Sequence, residues 1–387
     1  MILEFVFWLS VLFVAYAYLG YPLLLLALSV VRRTTSVKAD MTPPVSFIVT
    51  AHNEGRRIRR KLDNVLAQDY PRTRLEIIVA SDCSTDATDD IVRSYEGNGV
   101  YLARAPHRIG KEAAQKLGLD VASGGIIVFS DAATILPLDA VTTIVKNFAD
   151  SSVGCVSSVD RAVDPDGRPT GEGVYLRYEM FLRKLEARVN TLVGLSGCFF
   201  AARREVCRRW PPDLQSDFHV PLNAVRLGLR AISDAEAVAY YEIIPDQRRE
   251  FARKIRTVVR GLSVFMASLD MLNPFRFGLF SWQLISHKLC RWLVPFALLA
   301  ALVSNALLAP RSPMYMITLF LHLLSYGLGA LGLITRGGAG HSLLRIPAFF
   351  VLTNLAILTA WCRYTRGERI TSWSPSPRGI ARDTSTR

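Results

Sequence analysis

The chain has 387 residues, a formal charge of +13 from 46 basic and 33 acidic side chains, and a hydrophobic half. That length exceeds one domain of about 150 residues. Its six scattered cysteines (Cys83, Cys155, Cys198, Cys207, Cys290 and Cys362) show no zinc-ligand or redox spacing, which excludes a disulfide-stapled or zinc-built scaffold. No platform of interleaved aromatic and basic residues for nucleic acid is present, so the positive charge points to an anionic lipid face or an anionic substrate.

From Ile2 to Val31 the only acid or base is Glu4. A run this long exceeds a signal-peptide core and lacks a basic start and a small-residue cleavage site, so it reads as a retained transmembrane anchor. Arg32 and Arg33 follow it at once and mark the cytoplasmic side. Pro43-Pro44 then opens a region of ordinary globular composition, expected to extend over residues 43–245.

Strands are expected at Val45–Thr50, Leu75–Ala80, Tyr101–Ala103 and Ile126–Phe129, and helices at Asn53–Ala67, Asp86–Tyr95 and Gly110–Val121. This alternation predicts an α/β domain with a mostly parallel, doubly wound sheet. Beyond it come a helix at Leu138–Phe148, a strand at Val153–Val159, a turn at Asp164–Gly167 and a long helix at Val174–Val189. A Gly-rich apolar stretch at Leu195–Ala202, a basic helix at Arg203–Arg209 and a last strand at Ala237–Tyr241 complete the domain.

Residues 246–290 are expected to lie at the membrane surface. Arg249, Arg253, Arg256 and Arg260 fall on one helical stripe, and Phe275, Phe277, Phe280 and Trp282 suit the headgroup zone. Three further apolar spans are expected at about 291–309, 314–335 and 343–362, before a basic tail over 363–387. Three crossings from a cytoplasmic domain would put that tail outside, against its arginines. The span interrupted by Arg345, Pro347 and Asn354 is therefore the candidate for a re-entrant or interfacial segment.

Two residues carry chemistry by position alone. Asp131 ends the apolar strand before it, where open α/β sheets bind ligands, and a carboxylate there can hold a divalent metal on a phosphate. The alternative is an acid that only caps the next turn. Lys111 opens a helix after Gly110, an arrangement suited to a diphosphate.

Four pieces in order, Val45–Glu54, Ser81–Thr88, Gly110-Lys111 and Ser130–Thr134, resemble the family-2 glycosyltransferases of GT-A fold. The membrane layout is similar to that of the polysaccharide synthases in that family. The resemblance implies a UDP-sugar donor, Mg²⁺ or Mn²⁺, contacts of Asp82 and Glu54 with the nucleoside, and Asp131 as the first acid of an Asp-x-Asp metal motif. The second acid is replaced by Ala133. Asp217, in Gln215-Ser-Asp-Phe218, takes the place of the catalytic base, with Ser216 where a second acid usually stands. One base without a nucleophile implies inversion at the sugar carbon.

Arg256 matches the Arg of the Gln-x-x-Arg-Trp motif, with Arg253 and Thr257 in place of Gln and Trp. It is expected to contact either the diphosphate or lipid headgroups. Gly194–Cys198 resembles the flexible acceptor-side loop, and Thr371-Ser-Trp373 a tail that can fold over the nucleotide. The expected product is an extracellular polysaccharide or a lipid-linked glycan, with polysaccharide export proteins as possible partners. Ala133, Ser216 and Thr257 keep open a nucleotide-sugar-binding or scaffold subunit without turnover. A nucleotidyltransferase is disfavoured because no Gly-rich pyrophosphate loop follows Thr50.

Overall fold

A computed structural model describes residues 1–163, 174–242, 247–335 and 342–371. The turn expected at Asp164–Gly167 and the tail residue Trp373 lie outside these residues. The chain divides into two compact units, one of Met1–Val31, Asp246–Leu262 and Leu272–Arg369, the other of Arg32–Pro245, Ser263–Met271 and Ile370–Arg387.

The second unit is built on a seven-stranded sheet. Its strands are β1 (Val45–Ala51), β2 (Leu75–Ser81), β3 (Val100–Arg104), β4 (Ile126–Asp131), β5 (Val153–Val163), β6 (Phe199–Arg203) and β7 (Arg230–Glu242), in the order β3-β2-β1-β4-β6-β5-β7. β1 pairs in parallel with β2 and β4, whereas β6 runs antiparallel to both β4 and β5. The expected mostly parallel sheet is thus present, with one reversed strand.

Helices cover both faces, which is why the strands read as unbroken apolar runs. Phe47 and Val49 of β1 pack with Leu62, Val65 and Ile144 on one face, while Ile48 packs with Ile127, Phe129 and Phe200 on the other. Phe129 stacks on Phe200 at 4.8 Å and on Trp210 at 5.0 Å between ring centres. The chain leaves β1 in one direction along the sheet for β2 and β3, and returns on its other side for β4. The crevice outside the carboxyl ends of β1 and β4 is therefore the topological switch point, where such sheets bind ligands.

Several boundaries differ from expectation. The helix expected from Asn53 begins at Ile58, because Asn53 takes a left-handed φ of 52° and Gly55 lies hard against Asp86. β7 runs for 13 residues rather than 237–241 alone. Its pairing with β5 jumps from Ser233 to Val238, so the polar segment around Asp234 bulges out of the ladder at a register shift.

In the first unit, four helices among the described residues are long and apolar enough to cross a membrane: Ile2–Val31, Leu279–Arg311, Pro313–Ile334 and Leu344–Thr365. The aromatic segment expected at the interface is a short helix, Pro274–Phe277, followed after Gly278 by residues that run straight into the second span. Ser342–Thr365 is one helix through Pro347 and Asn354, so no re-entrant break occurs within it. Tyr16 Oη meets Ser286 Oγ at 2.7 Å and accepts the Trp282 indole N–H at 2.9 Å. A side chain at Gly329 would strike Val351, and one at Gly332 the Leu344 carbonyl, so these glycines let two helix backbones approach closely.

Candidate active site

Strand register sets the site. Thr50 stands opposite Asp131 across β1 and β4, and Ala51 opposite Ser81 across β1 and β2. The loops holding Glu54, Asp82 and Asp131 therefore leave the sheet at one level. Because β6 is reversed, its first residue, Phe199, lies opposite Ser130, and the loop before it reaches the same edge.

Lys111, Asp131 and Asp217 converge there. Lys111 Nζ donates to Asp131 Oδ1 at 2.5 Å and approaches the Gly197 carbonyl at 3.5 Å. Gly197 also borders Asp217, since a Cβ on this glycine would lie 2.8 Å from Asp217 Oδ2. Asp217 Oδ1 is buried and has no hydrogen-bond partner among the described residues. Burial works to lower the Lys111 pKa, but Asp131, Glu112 and Asp217 more than offset it and hold the ammonium above its usual range. Asp217 sits in the first turn of the helix Ser216–Arg226.

Hydrogen bonds hold both ends of the Gly194–Cys198 loop. Arg183 donates to Gly194 O at 2.7 Å, Ser196 N–H to Ser157 Oγ at 2.7 Å, and the Ser196 hydroxyl bonds Asp160. Leu195 N–H donates to the backbone carbonyl of Asp217 at 2.8 Å, which couples the loop to the acid. Burial raises the Asp160 pKa, while Ser196, Arg183 and Ser158 oppose the rise.

Beside this cluster lies a second one, at the ends of β1 and β2. Asp82 is fully buried, and its carboxylate accepts N–H bonds from Ile109 at 2.7 Å and Gly110 at 3.1 Å. It thereby fixes the turn in which Gly110, at a φ of 96°, leads into Lys111. His52 Nδ1 meets the Asp82 carbonyl at 2.7 Å. Glu54 is also buried and pairs with Arg57 at 3.0 Å. Burial works to raise the Asp86 pKa, but the Thr88 hydroxyl, with N–H bonds from Gly55 at 2.9 Å and Thr88 at 3.0 Å, outweighs it and holds the carboxylate below its usual range.

Arg256 belongs to the other unit. On the helix Gln247–Met266 it is half-buried and makes no hydrogen bond or ion pair with the described residues. Burial, and then Arg260 and Arg253, lower its pKa.

No group of three or more His, Cys, Asp or Glu among the described residues forms a metal cage. A cage is not what a nucleotide site requires. A hard divalent ion commonly takes one or two carboxylates and fills its sphere with phosphate oxygens and water. Asp131, a quarter exposed at the strand end, fits that donor set as a single carboxylate.

Sequence reasoning did not single out Lys61, Asp160 or Arg183. The clue to Lys61 is its place among Ile58, Leu62 and Val65, on a face that should be apolar throughout.

Comparison with known proteins points to glycosyltransferases. The Glycosyl transferase family 2 model matches residues 46–210. Glycosyltransferase AglE of Haloferax volcanii is 31% identical over 91 residues, which is 23% of this chain and 30% of that protein. Poly-beta-1,6-N-acetyl-D-glucosamine synthase of Staphylococcus aureus is 29% identical over 132 residues, covering 34% of this chain and 32% of the synthase. The chain thus spans a third or less of the length of these relatives. The mannosyltransferase PcManGT of Pyrobaculum calidifontis, solved with GDP-Man and Mn²⁺, superposes with a TM-score of 0.71 at 25% identity over 95% of this chain and 99% of its own.

Proposed function

Because this membrane protein carries a family-2 glycosyltransferase domain of GT-A fold, we propose that it transfers a sugar from a nucleoside diphosphate sugar, with inversion, to a glycan or lipid-linked acceptor. The observation that carries this reading is the meeting of Lys111, Asp131 and Asp217 at the sheet's switch point. An ammonium for the phosphates, an acid for a metal and an acid with an unpartnered buried oxygen for a proton are the parts a single displacement needs.

Asp217 takes the proton of the acceptor hydroxyl as that oxygen bonds to the anomeric carbon. The bond from this carbon to the phosphate oxygen breaks, and the diphosphate leaves with the electron pair. Lys111 donates to the departing phosphate and so stabilises charge that develops in the transition state. A divalent ion held by Asp131, phosphate and water, either Mg²⁺ or Mn²⁺, would add Lewis-acid neutralisation of the same leaving group. Arg183 and Asp160 hold the loop that keeps Gly197 beside Asp217.

Glu54 and Asp82 serve the nucleoside. Asp82 does so either by keeping Lys111 in place or, once the Ile109-Gly110 turn moves, by accepting the N–H of a base. A carboxylate accepts one N–H from uracil or two from guanine, so both UDP- and GDP-sugars suit it. The resemblance favours UDP, and the GDP-Man in the PcManGT complex favours GDP. Arg256 binds diphosphate or lipid headgroups from its own unit. The domain over residues 43–245 faces the cytoplasm behind Arg32 and Arg33, the product is an extracellular polysaccharide or glycolipid, and export proteins take it onward.

The test is a donor panel of UDP- and GDP-sugars on the purified full chain in detergent, recording nucleoside diphosphate release and product mass. Turnover of one donor to a glycosylated product is expected. Tight nucleotide-sugar binding with neither release nor product would instead make the chain a sensing or scaffold subunit.

A further inference from the structure

The buried face of the helix Ile58–Leu66 is apolar except at Lys61, whose side chain is fully buried. Its stem packs near Phe47, with Nζ 5.5 Å from the ring centre. No carboxylate pairs with it among the described residues, and the acid whose field reaches it is Asp131. Burial away from any carboxylate partner pushes its pKa down to about 7, so a lysine here carries a cost in free energy. Packing does not require this cost, because a methionine would fill the same space.

The hydrogen bonds give the lysine a task. Nζ donates to Ser130 Oγ at 2.7 Å and to the Thr134 carbonyl at 2.8 Å. These residues bracket the turn that presents Asp131. Ser130 Oγ in turn donates to the Cys198 carbonyl at 3.2 Å, which also accepts the Asp131 N–H at 3.2 Å. Inside the turn, Thr134 N–H donates to the Asp131 carbonyl at 3.1 Å. The Lys61 amine thus ties both ends of the turn to the helix behind it and, through Ser130, to the strand beginning at Phe199.

We propose that Lys61 is a positioning residue that fixes the Asp131 turn from behind and so sets the carboxylate for a divalent cation. The position matters more here than in a two-acid motif, because Ala133 offers no second carboxylate to compensate for a displaced Asp131. This role rests on the function proposed above.

The test is Lys61→Met in the full chain, with three readouts: melting temperature, UDP and GDP affinity in EDTA, and Mn²⁺ affinity of the nucleotide complex from the electron paramagnetic resonance of free Mn²⁺. The melting temperature is expected to stay level or rise. Metal-free nucleotide affinity should stay within about twofold, while Mn²⁺ affinity falls by about tenfold or more, as for lost support behind a metal ligand. Ser130→Ala removes one of the two ties and should give a smaller loss of the same kind. It carries the test if the lysine variant does not fold. Unchanged Mn²⁺ affinity in a folded variant overturns the role, as does an equal loss of metal-free nucleotide affinity. If the unaltered chain binds neither nucleotide nor Mn²⁺, the proposed function falls together with this role.

Discussion

The two clusters at the head of the sheet use their acids in opposite ways. At the ends of β1 and β2, Asp82, Glu54 and Asp86 spend their oxygens on backbone amides and on Arg57, and hold two loops together. Where β4 ends and β6 begins, Asp217 keeps a buried oxygen without a partner among the described residues, and Asp131 pairs with Lys111. Satisfied acids shape a site, and unsatisfied ones are left to react. Substitutions in the first cluster should therefore act through position, and those in the second through chemistry.

The sharpest separation should come from Asp217→Asn. A positioned base contributes about 10²–10⁴-fold, so transfer should fall by roughly 10³-fold while nucleotide affinity, measured by calorimetry, is kept; retained turnover would break the contrast. Next, Asp131→Ala should lower turnover by about 10²-fold and abolish the response to added Mn²⁺, read as rate against metal concentration. Gly197→Ala adds a methyl 2.8 Å from Asp217 Oδ2 and must push the carboxylate aside. Displacements of this order cost up to about 10²-fold in rate, and nucleotide affinity should not follow.

Lys111→Ala should weaken nucleoside diphosphate binding by about tenfold, the loss of one charge-assisted bond at roughly 1.5 kcal/mol. The nucleoside monophosphate should lose less.

The smallest effect concerns stability. Burial pushes His219, two residues from Asp217, down to about 4 from 6.5. Its proton then favours the unfolded chain, so stability is complete above about pH 6.5 and drains away as pH falls toward 4. His219→Gln should flatten that slope in thermal melts between pH 4.5 and 7 without altering the ratio of turnover to nucleotide binding at pH 7.

The strands and the strand-end acids were legible in the sequence because buried parallel strands are written as apolar runs with abrupt polar ends. Asp131 after Ile126–Phe129 is the plainest case. Lys61 was not legible, since helical periodicity marks a buried face but does not say what a lysine on it would bond. Asp160 and Ser196 are 36 residues apart, and nothing local in either segment announces their hydrogen bond. The N-terminal limit of the helix before Leu66 was misjudged for a related reason. Asn53 and Gly55 are held out of helical geometry by Thr85 and Asp86, partners some 30 positions away.

The reversal of β6 has a practical corollary. A strand running against its neighbours begins where they finish, so the segment just ahead of Phe199 arrives at the same rim as Asp131 and is bonded to it there. Insertions between Gly194 and Phe199 would break the bonds from Leu195 to Asp217 and from Asp131 to Cys198, so this rim should accept exchanged side chains more readily than a change of length.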